Sequence, residues 1–187
     1  DDRYRQRLAE KWGALSTGST AAAYIYWAMT ASQEVQKVRA YSNLNDMGAF
    51  EARAVTVILA GNASIVSAGA VADVLAYITP RIPLDTKLYV ISCRVLSLNV
   101  TGTVKVFTPY LSVAAAKISN SLQELGKAVP IGSYDAGPVP LAEFTDAIIY
   151  GRREMYDVTL TNPTGSTALA YDQILVPTNG LTLSGVP

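Results

Sequence analysis

The sequence contains no histidine and only one cysteine, Cys93. Without histidine the chain lacks the usual general base and the commonest metal ligand, and neither a serine nor a cysteine triad can take its ordinary form. A single cysteine forms no intramolecular disulfide, so nothing requires an oxidising compartment and the cytosol is the default location. Cys93 lies in the apolar stretch VISCRV, which favours a buried, inert thiol over a nucleophile. We therefore expect no catalytic residue, no metal site and no cofactor.

Charge is scarce as well. Only 16% of the 187 residues are charged, the 15 basic and 15 acidic side chains cancel, and half of the residues are apolar. The absence of a positive excess argues against a nucleic-acid partner. The chain is too apolar for a disordered tail and low in charge for a free monomer, which indicates extra buried surface between subunits.

No segment of the sequence suits a membrane span or an export signal. The longest uncharged apolar run is roughly half of what a bilayer-spanning helix needs. The first residues, DDRYRQR, are the opposite of a signal peptide's apolar core. Because the chain does not begin with methionine, we expect it to be a fragment of a longer protein.

Acidic pairs are the remaining candidates for chemistry. Glu143 and Asp146 lie one turn apart on a predicted helix, at a spacing that allows an acid and base pair. Acidic residues near the start of a helix also complement its dipole, and this structural interpretation is the stronger one. Neither a phosphate-binding GxxxxGK motif nor a dinucleotide-binding GxGxxG motif occurs. The sequence thus predicts that the protein is not an enzyme.

Hydrophobic periodicity predicts an α+β fold, in which about five helices flank a mostly antiparallel sheet. The predicted helices cover residues 2–15, 20–30, 64–79 and 112–126, with another beginning at Pro140. The predicted strands cover residues 35–42, 52–60, 88–107 and 155–163. The third strand alternates apolar and polar residues from Leu96 to Val106, which is typical of a half-exposed strand, and Gly102 is expected to mark a bulge. The tail, apolar at 174–176 and 181–183, fits a terminal hairpin or an extended arm.

Two segments of the chain resemble each other, WAMTASQEVQKVRAYSN and AIIYGRREMYDVTLTNP. Each is predicted to form an aromatic-bearing helix, a short polar link and a strand, and the segments align with Val38 on Val158. Chance similarity is the alternative explanation. A true repeat gives a body of two helix–strand units, and we expect two small lobes, residues 1–60 and 61–187.

The stretch AAAYIYWAMTAS, residues 21–32, carries three aromatic side chains and no charge. A helix without a polar face is buried on most of its sides. A platform that stacks on sugars or bases normally has cations nearby, and a membrane-surface helix needs a basic face. Residues 18–33 contain no cation. A packing surface is therefore the favoured interpretation.

The run DDRYRQRLAEKWGALSTGSTAAAYIYWAMTASQEVQKVRAYS resembles the middle segment of baseplate J-like proteins, the wedge subunits of contractile-tailed phages and related injection particles. In that family an acidic and arginine-rich helix leads to a small-residue turn, an aromatic helix with a Tyr-x-x-Trp-Ala-like core, and a strand with paired valines. These elements correspond here to residues 3–15, 16–19 and 24–28 and to the valines at 35 and 38. PRIPL at 80–84 and DVTLTNP at 157–163 extend the resemblance over essentially the whole chain.

The resemblance implies a structural role in a tail baseplate, where wedge subunits assemble around a central hub. The implied partners are other wedge and hub proteins and further copies of the chain, with neither nucleic acid nor membrane. The implied location is the virion tail baseplate, and the host bacterial cytoplasm during assembly. We expect the helices and the tail from 164 to 187 to supply interface contacts. The candidate residues are Trp12, Tyr24, Tyr26, Trp27, Ile174, Leu175 and Leu181.

An aromatic-lined carbohydrate-binding or adhesion module of a surface particle is the alternative, because the sequence contains 11 tyrosines. Such a module would display exposed aromatic side chains beside Asp, Asn or Arg on one loop face. The tyrosines are instead scattered through predicted helices and strands, which favours the structural role.

Overall fold

Helices and strands alternate along the chain in two separate α+β units, which divide between Arg94 and Val95. The residues that the computed structural model describes are 5, 20–133, 137–149 and 154–187. The predicted α+β class is confirmed. Apart from Arg5, which is helical, the helix predicted over residues 2–15, which includes Trp12, lies outside the described residues.

The first unit has a three-stranded sheet with two α-helices in its described part. In chain order its elements are α1 (Ala21–Ala31), β1 (Lys37–Leu44), β2 (Phe50–Ala60), α2 (Ala68–Ile78), a 3₁₀ turn (Thr79–Arg81) and β3 (Lys87–Ser92). β2 is the central strand, as predicted, with β1 antiparallel and β3 parallel to it. The parallel pairing follows from the β2–α2–β3 connection, because a crossover helix carries the chain back before the next strand.

Polar side chains determine where the two helices of this unit begin. The Thr20 hydroxyl accepts a hydrogen bond from the Ala23 amide and caps α1. The Ser67 hydroxyl caps α2 by accepting from the Ala70 amide. The Glu34 carboxylate accepts hydrogen bonds from both the amide and the hydroxyl of Ser67. Because Glu34 lies between α1 and β1, these bonds tie the start of α2 to the end of α1.

The core of the first unit lies between its helices and the sheet. Its buried members are Tyr24, Ala28, Met29, Val35, Val57, Leu59, Val66, Ala70, Val74 and Ile78. Ile58 points to the opposite face of β2 and is fully buried too. The central strand is therefore covered on both faces, which explains its nearly continuous apolar run.

The second unit is built around β4. In chain order its elements are β4 (Arg94–Phe107), a 3₁₀ turn (Thr108–Tyr110), α3 (Leu111–Ala128), α4 (Leu141–Ile149), β5 (Met155–Asn162) and β6 (Gln173–Val186). β4 lies between β5, which is antiparallel to it, and β6. The Thr178 hydroxyl donates to the Leu98 carbonyl, and the Thr108 hydroxyl donates to the Val186 carbonyl. These two contacts show that β4 and β6 run in the same direction.

The single strand predicted over residues 88–107 is in fact two strands. The run breaks at Cys93, so that β3 joins the first sheet and β4 the second. β4 keeps the predicted alternation, because Val104 and Val106 are buried while Thr103 and Lys105 are exposed. The register of β4 against β5 shifts at Gly102, which confirms the bulge.

Three further features differ from the sequence-based expectation. The strands form two sheets, each with one antiparallel and one parallel neighbour, where one mostly antiparallel sheet was expected. The lobe boundary expected after residue 60 falls between β2 and α2, inside the first unit, because α2 packs against the sheet that β2 and β3 share. The tail is one long strand, β6, that pairs with β4.

The two similar segments do occupy equivalent places. α1 leads to β1 and α4 leads to β5, and each of these strands lies at the edge of its sheet, antiparallel to the central strand. Val38 lies opposite Leu59, and Val158 lies opposite Val104. The order along the chain differs, because α1 and β1 precede their central strand whereas α4 and β5 follow theirs.

Candidate functional site

The aromatic helix α1 buries one of its three aromatic side chains and leaves two half-buried. Tyr24 is 1% exposed and lies in the core with Ala28 and Met29. The Trp27 ring stands edge-on to the Tyr24 ring, with 5.5 Å between centroids and 76° between planes. Tyr26 and Trp27 are half-buried. The helix therefore packs on its own unit through Tyr24 and keeps part of the other two rings accessible.

Of the tail residues predicted as contacts, two are buried and one is partly exposed. Ile174 and Leu175 are both buried, and Leu175 belongs to the core of the second unit. Leu181 is partly buried and packs against that core. In this structure Ile174 and Leu175 thus pack within the chain, and Leu181 retains some accessible surface.

A small cavity lies beside α1 and the edge strand β1. It measures about 180 Å³, and its lining includes Tyr24 and Tyr41. The Arg39 guanidinium lies 5.4 Å from the centroid of the Tyr41 ring. Sites that hold a small ligand typically measure about 300–1,000 Å³, so this cavity is small for a sugar. It gives little support to the carbohydrate-binding alternative.

A larger groove lies between α3 and α4 in the second unit. It measures about 510 Å³, and its lining includes Leu125, Ala128 and Ala147 together with the carboxylates of Glu124, Glu143 and Asp146. We call it the α3–α4 groove. Glu143 lies in the first turn of α4, where a carboxylate complements the helix dipole, as the sequence predicts. Within the described ranges no three His, Cys, Asp or Glu side chains converge closely enough to hold a metal ion.

A third surface, which the sequence analysis missed, lies at the end of the first sheet. Met47, Phe50 and Leu84 are large apolar side chains that are almost wholly exposed. The ion pair between Arg53 and Asp85, at 3.0 Å, shows that the start of β2 and the loop before β3 lie side by side. We call these three apolar residues the hairpin patch. The signal in the sequence was the pair Met47 and Phe50 within the turn-rich loop NLNDMGAFE.

A charged network borders the hairpin patch. The Glu51 carboxylate accepts hydrogen bonds from the Lys87 ammonium and, at 2.9 Å, from the Tyr89 hydroxyl. These bonds lower the pKa of Glu51 and raise the pKa values of Lys87 and Tyr89. At neutral pH the pair is therefore fully charged, and the border of the patch is polar.

Cys93 is a buried thiol, and its charge state influences the half-buried Lys37. Cys93 is buried, as predicted, with its Sγ 3.8 Å from the Ser64 carbonyl oxygen. Burial lowers the pKa of Lys37 to about 8, and the nearby Cys93 opposes that shift. Holding the half-buried Lys37 ammonium charged at neutral pH costs folding free energy.

We expect Lys37→Met to stabilise the first unit at neutral pH. The unfolded chain binds more protons than the folded chain between pH 8 and 10.5, so wild-type stability rises across this window and the cost is fully present below pH 8. After discounting the solvent-exposed part of the side chain, the variant should gain on the order of 1–2 kcal/mol at pH 7 and less at pH 10. Urea unfolding of both proteins at the two pH values measures the difference between their free energies of unfolding. A difference that is the same at pH 7 and pH 10 would contradict the prediction.

The helices in the described ranges fall short of the combined length and hydropathy that a membrane span requires. No protein-family model matches the sequence, and no curated protein matches it either. Thirteen chains of solved structures match. One belongs to the "Cryo-EM structure of the anti-feeding prophage (AFP) baseplate, 6-fold symmetrised", with a TM-score of 0.55 and 15% sequence identity. The match covers 85% of this chain and 37% of that chain, so this chain shares its fold with just over a third of a baseplate protein.

Proposed function

We propose that this chain is a structural component of a phage or prophage tail baseplate. The observation that carries the proposal is the likeness of fold, over 85% of the chain, to a chain of the anti-feeding prophage baseplate. At 15% identity the likeness rests on the order and packing of elements rather than on shared residues. Because 85% of the chain is covered, the likeness includes parts of both units.

The finer proposal is that the chain is part of a wedge subunit of the baseplate J-like kind. The resemblance of the N-terminal run to that family, in the order of its sequence motifs, supports this proposal. The similar solved chain is longer, since only 37% of it is covered, which fits a wedge subunit with further parts. Its expected partners are the other wedge and hub proteins, and its expected location is the tail baseplate of an assembled particle.

The chemistry of the chain suits assembly better than catalysis. The sequence has no histidine, its thiol is buried, and its clustered carboxylates line an apolar groove. A low content of charge and a high content of apolar residues are typical of permanently associated subunits, whose interfaces resemble a core cut in two. The accessible parts of Tyr26, Trp27 and Leu181 are candidate contacts, together with Trp12.

Co-purification tests the proposal. The full-length parent protein, tagged, is purified with the products of its neighbouring genes, and the material is imaged by negative-stain electron microscopy. We expect other tail proteins in wedge-shaped or ring-shaped complexes, and none with the tag alone. A lone monomer that binds glycans on an array would contradict the proposal and favour the adhesion module.

A further inference from the structure

The outer edge of β6 is open in the described part of the chain. In the second sheet β6 has β4 on one side and, among the described residues, no strand on the other. An edge of this kind presents a row of backbone amide and carbonyl groups that can pair with a further strand. After Pro177 the strand continues as TNGLTLSGV, residues 178–186, which we call the β6 edge segment. It contains no proline, so none of its amide donors is missing.

Charged side chains lie on the other edge strands of the two described sheets but not on the β6 edge segment. Proteins commonly protect an open edge with charged residues, which oppose pairing with another chain. Lys37 and Arg39 lie on β1, Lys87 lies on β3, and Asp157 lies on β5. The β6 edge segment has no charged residue. Among these edges it is therefore the one whose side chains least oppose the addition of a strand.

The two sides of the β6 edge segment differ in polarity, because side chains alternate between the faces of a sheet. The Asn179 side-chain amide donates to the Ala115 carbonyl and the Ser119 hydroxyl of α3, at 3.4 and 3.1 Å, so the odd-numbered residues face the helix. On this side Leu181 and Leu183 pack against the core but are only partly buried. The even-numbered side is open and polar, with exposed Thr178, Gly180, Thr182 and Ser184.

We infer that the β6 edge segment of one copy pairs antiparallel with the same segment of a second copy, about a twofold axis that passes between the two Thr182 residues. A twofold axis perpendicular to the sheet keeps both apolar sides on one face, so the two three-stranded sheets join into one continuous sheet. Such an isologous contact uses the same surface of each copy and closes at a dimer. The inference goes beyond the proposed baseplate role and does not depend on it.

A second copy is the favoured partner because the β6 edge segment complements itself. Residues directly opposite each other in an antiparallel pair lie on the same face and contact each other. An axis at Thr182 places Leu181 of each copy opposite Leu183 of the other, so the partly buried leucines cover one another and no like charges meet. An axis at Leu181 would place Leu183 opposite Asn179, and an axis at Leu183 would place Leu181 opposite Gly185. The hydrophobic pattern thus selects Thr182 as the centre.

One backbone donor of the β6 edge segment already has an acceptor within its own strand. The Leu181 amide donates to the Asn179 Oδ1, at 3.0 Å. A side-chain acceptor of this kind competes with a second strand for the donor. In the paired segments we expect the Leu183 carbonyl of the second copy to replace Asn179 as the acceptor, while the Asn179 side chain keeps its bonds to α3.

A cysteine placed at the axis tests the register. Directly opposite residues have Cα atoms about 4.5–5.5 Å apart, within the range of about 4.4–6.8 Å that a disulfide spans. Thr182→Cys should therefore give a covalent dimer on mild oxidation, measured by gel electrophoresis without reductant. Ser184→Cys is the matched control, because its two copies would lie about 13 Å apart along the strands. The native Cys93 is buried, and we expect no covalent dimer of the wild type.

Sedimentation velocity over a concentration series measures the association itself. We expect the wild type to form dimers and nothing larger. Thr182→Lys places like charges opposite each other at the axis, at an exposed position where the cost to folding is small, and should weaken dimerisation about tenfold or more. Thr159→Lys makes the same change at an exposed threonine of β5, the opposite edge of the sheet, and should dimerise like the wild type. Circular dichroism confirms that each variant is folded.

A wild type that stays monomeric up to millimolar concentration would overturn the inference. Equal crosslinking of Thr182→Cys and Ser184→Cys would overturn it too, as would equal weakening by Thr182→Lys and Thr159→Lys. If the wild-type chain is monomeric and Thr182→Lys removes a different tail protein from the co-purified complex, the edge serves that protein, and the baseplate role stands without the dimer. Failure of the parent protein to bring down any tail protein counts against the baseplate role and leaves the dimerisation result intact.

Discussion

Replacing Tyr24 with alanine is expected to lower the free energy of unfolding of the first unit by about 3–5 kcal/mol, the usual cost of truncating a large buried aromatic residue. Tyr24 is 1% exposed and is one of the largest fully buried side chains in the described part of the chain. The variant also loses the edge-on contact with Trp27, which in such pairs contributes about 0.5–1.5 kcal/mol beyond the buried area. Urea unfolding followed by circular dichroism measures the change.

Tyr26→Ala is the matched control for this prediction. It makes the same change two residues away on the same helix, so the difference in helix propensity is identical. Tyr26 is only half-buried, and we expect its loss to cost about 1 kcal/mol. Equal losses for the two variants would show that α1 does not pack on its unit through Tyr24. Loss of co-purifying tail proteins from folded Tyr26→Ala would identify that ring as a contact.

The distinction between these two tyrosines could not be predicted from the sequence. The stretch at 21–32 is apolar on every face, and periodicity identifies a buried face only when another face is polar. The sequence correctly predicted a helix over this stretch that packs against the rest of the chain. Which ring points into the core depends on where the sheet and α2 lie, and these contacts join residues that are distant in the chain.

The strands likewise divide into features that the local sequence predicts and features that depend on contacts between distant residues. The alternation in β4 could be predicted because one face of the strand is buried and the other is exposed to solvent. Gly102 correctly marked the bulge. The break at Cys93 was not readable, because VISCRV contains no glycine or proline and its residues suit either strand. The lobe boundary was misplaced for the same reason, since the change of sheet happens inside an apolar run without a turn signal.

The hairpin patch could not be predicted from the sequence, because its residues come together only in the folded chain. Met47 and Phe50 lie in a loop whose composition predicts a turn, but nothing local tells whether their side chains turn inward. Leu84 joins them only through the parallel register that places Ala54 opposite Lys87. A buried face leaves a periodic signature in the sequence, whereas a surface assembled from separate segments does not.

Gly102→Ala is expected to destabilise the second unit by at least about 3 kcal/mol. A Cβ at this position would lie 2.2 Å from the Thr159 carbonyl oxygen and 2.8 Å from the Leu160 Cα, and both are backbone atoms of the paired strand β5. The φ of Gly102 is +154°, a conformation that residues with side chains rarely adopt. The strands must separate or the bulge must shift, and either change breaks the register between β4 and β5.

Gly165→Ala is the control for Gly102→Ala, because no atom lies within 4 Å of its added Cβ. We expect its free energy of unfolding to stay within about 0.5 kcal/mol of the wild type. Urea unfolding gives both free energies, and hydrogen exchange at the β4 and β5 amides locates the damage. We expect faster exchange along both strands in Gly102→Ala and unchanged exchange in the first unit. A Gly102→Ala protein as stable as Gly165→Ala would show that β4 and β5 do not approach each other as closely as the bulge requires, and the second sheet would then need a different register.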